Sequence, residues 1–89
     1  MARIKITPEE MDKASNQFRQ AQQESEQLTQ KLNSLMQSMQ PEWEGMQSNA
    51  FYVRYQENQK EMKSYIEMLG FVSEELTRIA KRFREADQT

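Results

Sequence analysis

Two stretches of the chain place apolar or small residues at alternating steps of three and four positions. This spacing, sustained over several heptads, is typical of α-helices that pack against another helix. We call these positions the predicted seam; in the first stretch they are Met11, Ala14, Phe18, Ala21, Ser25, Leu28, Leu32, Leu35 and Met39. In the second stretch they are Ser48, Phe51, Tyr55, Asn58, Met62, Tyr65, Leu69, Val72, Leu76, Ile79, Phe83 and Ala86. No segment alternates long enough with a period of two to predict a strand, so the fold class is all-α.

The segment ITPEEM gives the first helix a start signal. Thr7 can cap the helix, Pro8 fits its first position, and Glu10 completes a capping box. Ile6 and Met11 have the spacing of a hydrophobic staple. The first helix is therefore predicted to begin at about residue 8.

Between the two patterns lie the only Trp of the chain (Trp43), one of its two Gly (Gly45) and one of its two Pro (Pro41). Pro41 disfavours continuation of the helix, and Gly45 lets the backbone turn. The Trp43 side chain either covers the open end of the hairpin or is recognised by another protein. We predict one domain over residues 1–89, with helix 1 at about 8–40, the turn at about 41–46 and helix 2 at about 47–87.

A connection this short predicts that the two helices fold back antiparallel as a hairpin. Counted outward from the turn, residues whose numbers add up to about 88 should face each other. Small residues then oppose large ones along the seam, as Ala14 does with Leu76 and Ala21 with Leu69. In this register the end of helix 2, beyond about residue 82, projects past the start of helix 1.

Helix 2 also carries apolar residues away from the predicted seam, namely Ile66, Met68 and Phe71, around Gly70. A Gly costs about 1 kcal/mol relative to Ala inside a helix, so its presence suggests the close approach of another helix. We predict that these four residues form a dimer patch. Two hairpins paired there about a two-fold axis would complete an elongated four-helix bundle.

The chain has 89 residues, with no Cys, no His, 12 basic and 14 acidic side chains. This composition excludes disulfides, Cys or His zinc sites and catalysis by Cys or His. The basic cluster Arg78, Lys81, Arg82 and Arg84 suits the C-terminal end of a helix dipole better than nucleic acid. We expect no enzyme activity, metal, cofactor, small-molecule substrate or nucleic acid. Neither a cleavable signal peptide nor a membrane span is expected, since the longest apolar run, YIEMLGFV, is short and contains Glu67.

With the turn placed between two long helices, the chain resembles the WXG family of small proteins exported by type VII (Esx) secretion systems. Trp43 and Gly45 supply the W-x-G motif, Ala50 and Phe51 match the Ala-Phe that commonly follows it, and Tyr55 lies at a further aromatic position. The opening ITPEEM is similar to that of Gram-positive members. The resemblance implies export as a folded helical dimer, formed by two copies or with a paralogous WXG protein, through a secretion ATPase and membrane apparatus.

The resemblance also implies a C-terminal export signal, a Tyr followed four places later by Asp or Glu. Its counterpart here is Phe83 with Asp87, where Phe replaces the usual Tyr. The alternative is that Phe83 is only a seam residue. In an antiparallel dimer of this family type, Trp43 of one chain would lie near Phe83 and Asp87 of the other.

Two functions fit these features. The first is a non-catalytic secreted substrate of a type VII system that also partners the export of other substrates, cytoplasmic before export and secreted without a cleavable signal peptide. The alternative is a cytosolic helical adaptor that docks a larger helical protein. Both use the same helical surfaces, so the fold does not separate them.

Overall fold

Two antiparallel α-helices make up the hairpin in the computed structural model, which describes residues 6–43 and 49–87. Helix α1 spans Pro8–Trp43 and helix α2 spans Asn49–Asp87. The molecule measures 68 × 24 × 15 Å, so its thickness is close to that of one layer of helices. The predicted all-α hairpin is confirmed, while most of the predicted turn, including Gly45, lies outside the described residues.

The N-terminus of α1 is capped by Thr7. The Glu10 backbone N–H donates to the Thr7 hydroxyl oxygen at 3.1 Å, and the Met11 N–H donates to the Thr7 carbonyl at 3.0 Å. Pro8 is the first helical residue, a position where its missing N–H costs nothing. The predicted cap is therefore confirmed, whereas Ile6 stays largely exposed and adds little cover to Met11.

The predicted end of helix 1 at residue 40 is too early, because α1 continues through Pro41 to Trp43. Pro41 removes one helical hydrogen bond, the one its N–H would have donated to the Gln37 carbonyl. Gln37 and Pro41 are both exposed, so water can hydrate that carbonyl. The loss is small enough for the helix to extend beyond the proline.

The predicted register of the two helices is confirmed by two hydrogen-bonded pairs. The Ser15 hydroxyl donates to the Ser73 carbonyl at 2.7 Å, and the Tyr55 hydroxyl donates to Asn33 Oδ1 at 2.8 Å. The residue numbers of each pair add up to 88. Each residue from 8 to 39 thus has a known opposite position on α2, which we call its level in the hairpin.

The predicted rotation of the helices is only partly correct, because Met11 and Leu69 of the predicted seam are buried but many other seam residues are not. Several seam residues are exposed, and the residues that face the other helix mostly follow seam residues by one position. On α1 these inward residues include Ser15, Gln22, Thr29, Asn33 and Met36, and on α2 they include Ile66, Ser73 and Ala80. One residue corresponds to about 100° around a helix. Because the helices are antiparallel, this equal rotation turns both apolar stripes toward the same side of the hairpin.

Candidate interaction surfaces

Five large side chains form an exposed apolar face on one side of the hairpin. Each exposes between 41% and 57% of its surface: Leu28, Leu32, Leu35, Tyr65 and Met68. They are the residues directly before Thr29, Asn33, Met36, Ile66 and Leu69, all of which point toward the opposite helix or are buried. A contiguous apolar surface of this kind on a small protein usually marks an interaction site.

The structure divides the four residues of the predicted dimer patch between different sides of α2. Ile66 is buried at 8% exposure and Gly70 is half-buried, so both belong to the contact with α1. Met68 lies on the apolar face. Phe71, 63% exposed, lies three residues after Met68, so the two side chains are neighbours on the outer side of α2. The four residues therefore do not form one surface.

A helix does approach Gly70 closely, but it is α1 of the same chain. A Cβ atom placed on Gly70 would lie 2.9 Å from Cδ of Gln22, with the Gln22 amide nitrogen closer still. The glycine thus makes room for a side chain of α1. The close approach predicted at Gly70 is therefore made by α1 of the same chain, because sequence alone does not say which helix fills the space.

A buried hydroxyl cluster joins the helices near the chain termini, and the sequence analysis missed it. Ser15 and Ser73 are each 2% exposed. The Ser73 hydroxyl donates to the Ser15 carbonyl at 2.9 Å, and the Ser15 hydroxyl also lies 2.7 Å from Thr77 Oγ1. Each serine thus satisfies the other's polar groups, as buried polar groups require. The sequence could have indicated this cluster, because it places two small polar residues, Ser15 and Ser73, at the same level.

The last turns of α2 lie beside the first turns of α1. Nη2 of Arg84 is 2.7 Å from Oδ2 of Asp12 and 3.8 Å from Oε1 of Glu9. The hydrogen bond to Asp12, helped by the charges of Asp12 and Glu9 and opposed by desolvation, raises the pKa of the Arg84 guanidinium. The predicted projection of α2 beyond residue 82 agrees with the register, because the positions opposite residues 83–87 precede Pro8, where α1 begins. The Arg84 side chain reaches back to Asp12, and Phe83 is half-buried.

The remaining predicted recognition residues lie at helix ends. Trp43 is the last residue of α1, at the turn end of the hairpin. Phe83 and Asp87 are near and at the end of α2, at the opposite end of the molecule. Within one chain, Trp43 and the predicted export signal are therefore far apart. The side chains of Trp43 and Asp87 and the whole of Gly45 are not among the described parts.

Two neighbouring cavities lie between the helices, one of about 490 Å³ near the middle of the hairpin and one of about 560 Å³ closer to the turn. Asn33, Gln59 and Lys60 line both cavities, and the apolar side chains of Ile66 and Met36 each line one of them. Within residues 6–43 and 49–87, no group of acidic side chains is arranged to hold a metal ion. Neither described helix is long and apolar enough to cross a membrane.

Comparison with known proteins gives consistent matches over nearly the whole chain. Residues 3–88 match the family model WXG100, proteins of 100 residues with WXG. An uncharacterized protein of Clostridium acetobutylicum is 29% identical over 87 residues, covering 98% of this chain and 91% of that protein. Protein YukE of Bacillus subtilis is 27% identical over 85 residues, covering 96% of this chain and 88% of YukE.

Among solved structures, the secreted protein EsxB of Bacillus anthracis superposes on the hairpin with a TM-score of 0.82. The two chains are 33% identical, and the match covers 98% of this chain and 99% of EsxB. The similarity thus includes both helices.

Proposed function

Because the chain belongs to the WXG100 family, we propose that it is a non-catalytic substrate of a type VII (Esx) secretion system, exported as a folded helical dimer. The observation that carries the proposal is the apolar face, which a single hairpin leaves exposed and a second copy can cover. The likeness to EsxB, a secreted protein, supports the same function. Export of other substrates together with this dimer is a further part of the proposal.

The sequence of α1 favours antiparallel pairing of the two hairpins. If α1 packs against its own copy about a two-fold axis close to Ser25, Leu28 lies beside Ala21 and Leu35 beside Ala14 of the second copy. All these residues belong to one stripe of α1, and Ala14 and Ala21 are half-buried in the hairpin. Large side chains then fill the space above small ones, as close packing requires.

Antiparallel pairing also gives the recognition residues a common location. Trp43 and Phe83 lie at opposite ends of one hairpin, so a reversed second copy carries its Phe83 and Asp87 toward the Trp43 end of the first. We propose that the W-x-G turn of one chain and the C-terminal segment of the other form one composite surface for the secretion ATPase. A paralogous WXG protein could take the place of the second copy.

Cysteine cross-linking tests the antiparallel pairing, because the chain has no native Cys. The double variant Ala14→Cys/Leu35→Cys should form a covalent dimer under mild oxidation, whereas each single variant should form little. Efficient cross-linking of Leu35→Cys alone would instead indicate that both turns lie at the same end.

Secretion is tested directly in culture supernatants. We expect the intact, uncleaved chain in the medium of cells that hold the secretion ATPase and only inside cells that lack it. Retention in the cytoplasm of both strains, together with a larger helical protein bound to the apolar face, would favour the adaptor function.

A further inference from the structure

The contacts that hold the hairpin together are concentrated in one half of it. The side chains buried in the single chain are Met11, Ser15, Ile66, Leu69, Ser73 and Ala80. All of them lie between the chain termini and the level of Gln22 and Ile66; we call this part the terminal half. The hydroxyl cluster of Ser15, Ser73 and Thr77 and the ion pair of Arg84 with Asp12 lie there too.

The other part, which we call the turn half, comprises residues 27–43 and 49–62. None of its described side chains is buried. Asn33 is bonded to Tyr55 across the helices, and Gln59 and the half-buried Met36 also face inward. One cavity lies here, and the other extends to the level of Gln22 and Ile66. The large apolar residues of this half of α1, Leu28, Leu32 and Leu35, point to the apolar face instead of toward α2.

We infer that the two helices of the turn half pack stably against each other only when two copies assemble. Each copy then stabilises the turn half of the other. This inference rests on the dimer proposed above. Burial of apolar surface supplies most of the driving force for packing helices, and the turn half has little of it within one chain. In an antiparallel dimer, the turn half of each copy lies on the terminal half of the other. Covering Leu28, Leu32 and Leu35 then supplies the missing burial.

Hydrogen exchange of a monomeric variant tests the inference. Leu28→Lys/Leu35→Lys places charges on two side chains that are more than half exposed in the hairpin, so the single chain can accommodate them. We expect a monomer whose amides in the turn half exchange at least about tenfold faster than in the wild-type dimer. Amides of residues 11–22 and 66–80 should stay protected. The matched control is Gln27→Lys/Ser34→Lys, which adds the same charge at exposed positions outside the apolar face.

A second pair of substitutions separates assembly from closure. Asn33→Leu/Gln59→Leu, introduced into the monomeric variant, gives the turn half its own apolar contact and should restore much of its protection without restoring the dimer mass. Leu at the exposed position Gln23 should restore none.

The two possible failures differ in their readout. A Leu28→Lys/Leu35→Lys variant that keeps the dimer mass overturns the proposed dimer and this inference with it. A monomer in which both halves lose protection equally, or in which both remain protected, overturns the inference alone.

Discussion

Ser15 and Ser73 show how two small polar side chains can stabilise a helix contact better than their residue type suggests. Each is nearly completely buried, and their hydroxyl and carbonyl groups satisfy each other at distances of 2.7 to 3.0 Å. Small residues at this level also let the helix backbones approach closely. The cluster thus contributes both hydrogen bonding and close packing.

Ser73→Ala should destabilise the hairpin by about 0.5–1.5 kcal/mol, because it removes the buried hydrogen bond that the Ser73 hydroxyl donates to the Ser15 carbonyl. Ser64→Ala, at an exposed position of the same helix, is the control and should change the free energy of unfolding little. Urea denaturation of both variants measures the difference. Combining Ser73→Ala with Ser15→Ala should cost less than the sum of the single effects, since the two residues share their bonds. Additive costs would contradict the shared cluster.

Asp87→Ala tests the predicted export signal. Asp87 ends α2, where a carboxylate opposes the helix dipole, so its removal should not lower the melting temperature. We expect unchanged helicity and dimer mass but sharply reduced secretion into the medium. Wild-type secretion of Asp87→Ala would reject the signal, and an unfolded variant would assign Asp87 a structural role.

In each helix one side is buried against the other helix. Part of the predicted seam, however, does not face that helix and is exposed. On α2, Leu69 is buried at 5% exposure against α1, whereas on α1 Leu28 is 57% exposed. Both residues occupy predicted seam positions. A stripe directed between two neighbouring helices is what a four-helix bundle requires, because each of its helices touches two others.

Leu69→Ala and Leu28→Ala should therefore differ in how their costs depend on protein concentration. Leu69→Ala removes a side chain buried within the hairpin and should cost about 2–5 kcal/mol in the dimer and in a monomeric background alike. Leu28→Ala should cost little in the monomer and show its effect as weaker dimerisation. Thermal melts at several protein concentrations separate the two cases. Equal losses in the monomeric background would refute the assignment of Leu28 to the apolar face.

The whole molecule is a single layer of two helices about 68 Å long, too thin to cover its own apolar residues. A short chain of this kind has little interior relative to its surface, and oligomerisation is the usual compensation when no disulfide is present. The exposed positions of Leu28, Leu32, Leu35, Tyr65 and Met68 indicate the side on which a second layer belongs.

Light scattering should give the wild-type protein a mass close to twice the 10.6 kDa of one chain. Tyr65→Lys should shift it toward the monomer, since Tyr65 is 52% exposed on the apolar face. Phe71→Lys should weaken the dimer less, because Phe71 points farther from α1 than Tyr65 does. The opposite ranking of these two variants would place the dimer interface on the back of α2.

The sequence by itself determined the properties that depend on one helix or on the length of its connection. The Thr7 cap and the heptad spacing predicted two helices, and the short turn predicted the level at which Ser15 meets Ser73. The residues of the W-x-G motif indicated the family. Each of these is a local property, or follows from counting along the chain.

Only the tertiary structure decided how each helix is rotated toward its neighbour. A periodic stripe shows which side of a helix is apolar, but it does not show which neighbouring helix that side contacts. Leu28 and Ile66 were assigned to the wrong sides for this reason, and the partner of Gly70 proved to be Gln22 of the same chain. The pairing of Arg84 with Asp12 depended on the same choice, because two helices in contact bring together residues that lie far apart in sequence.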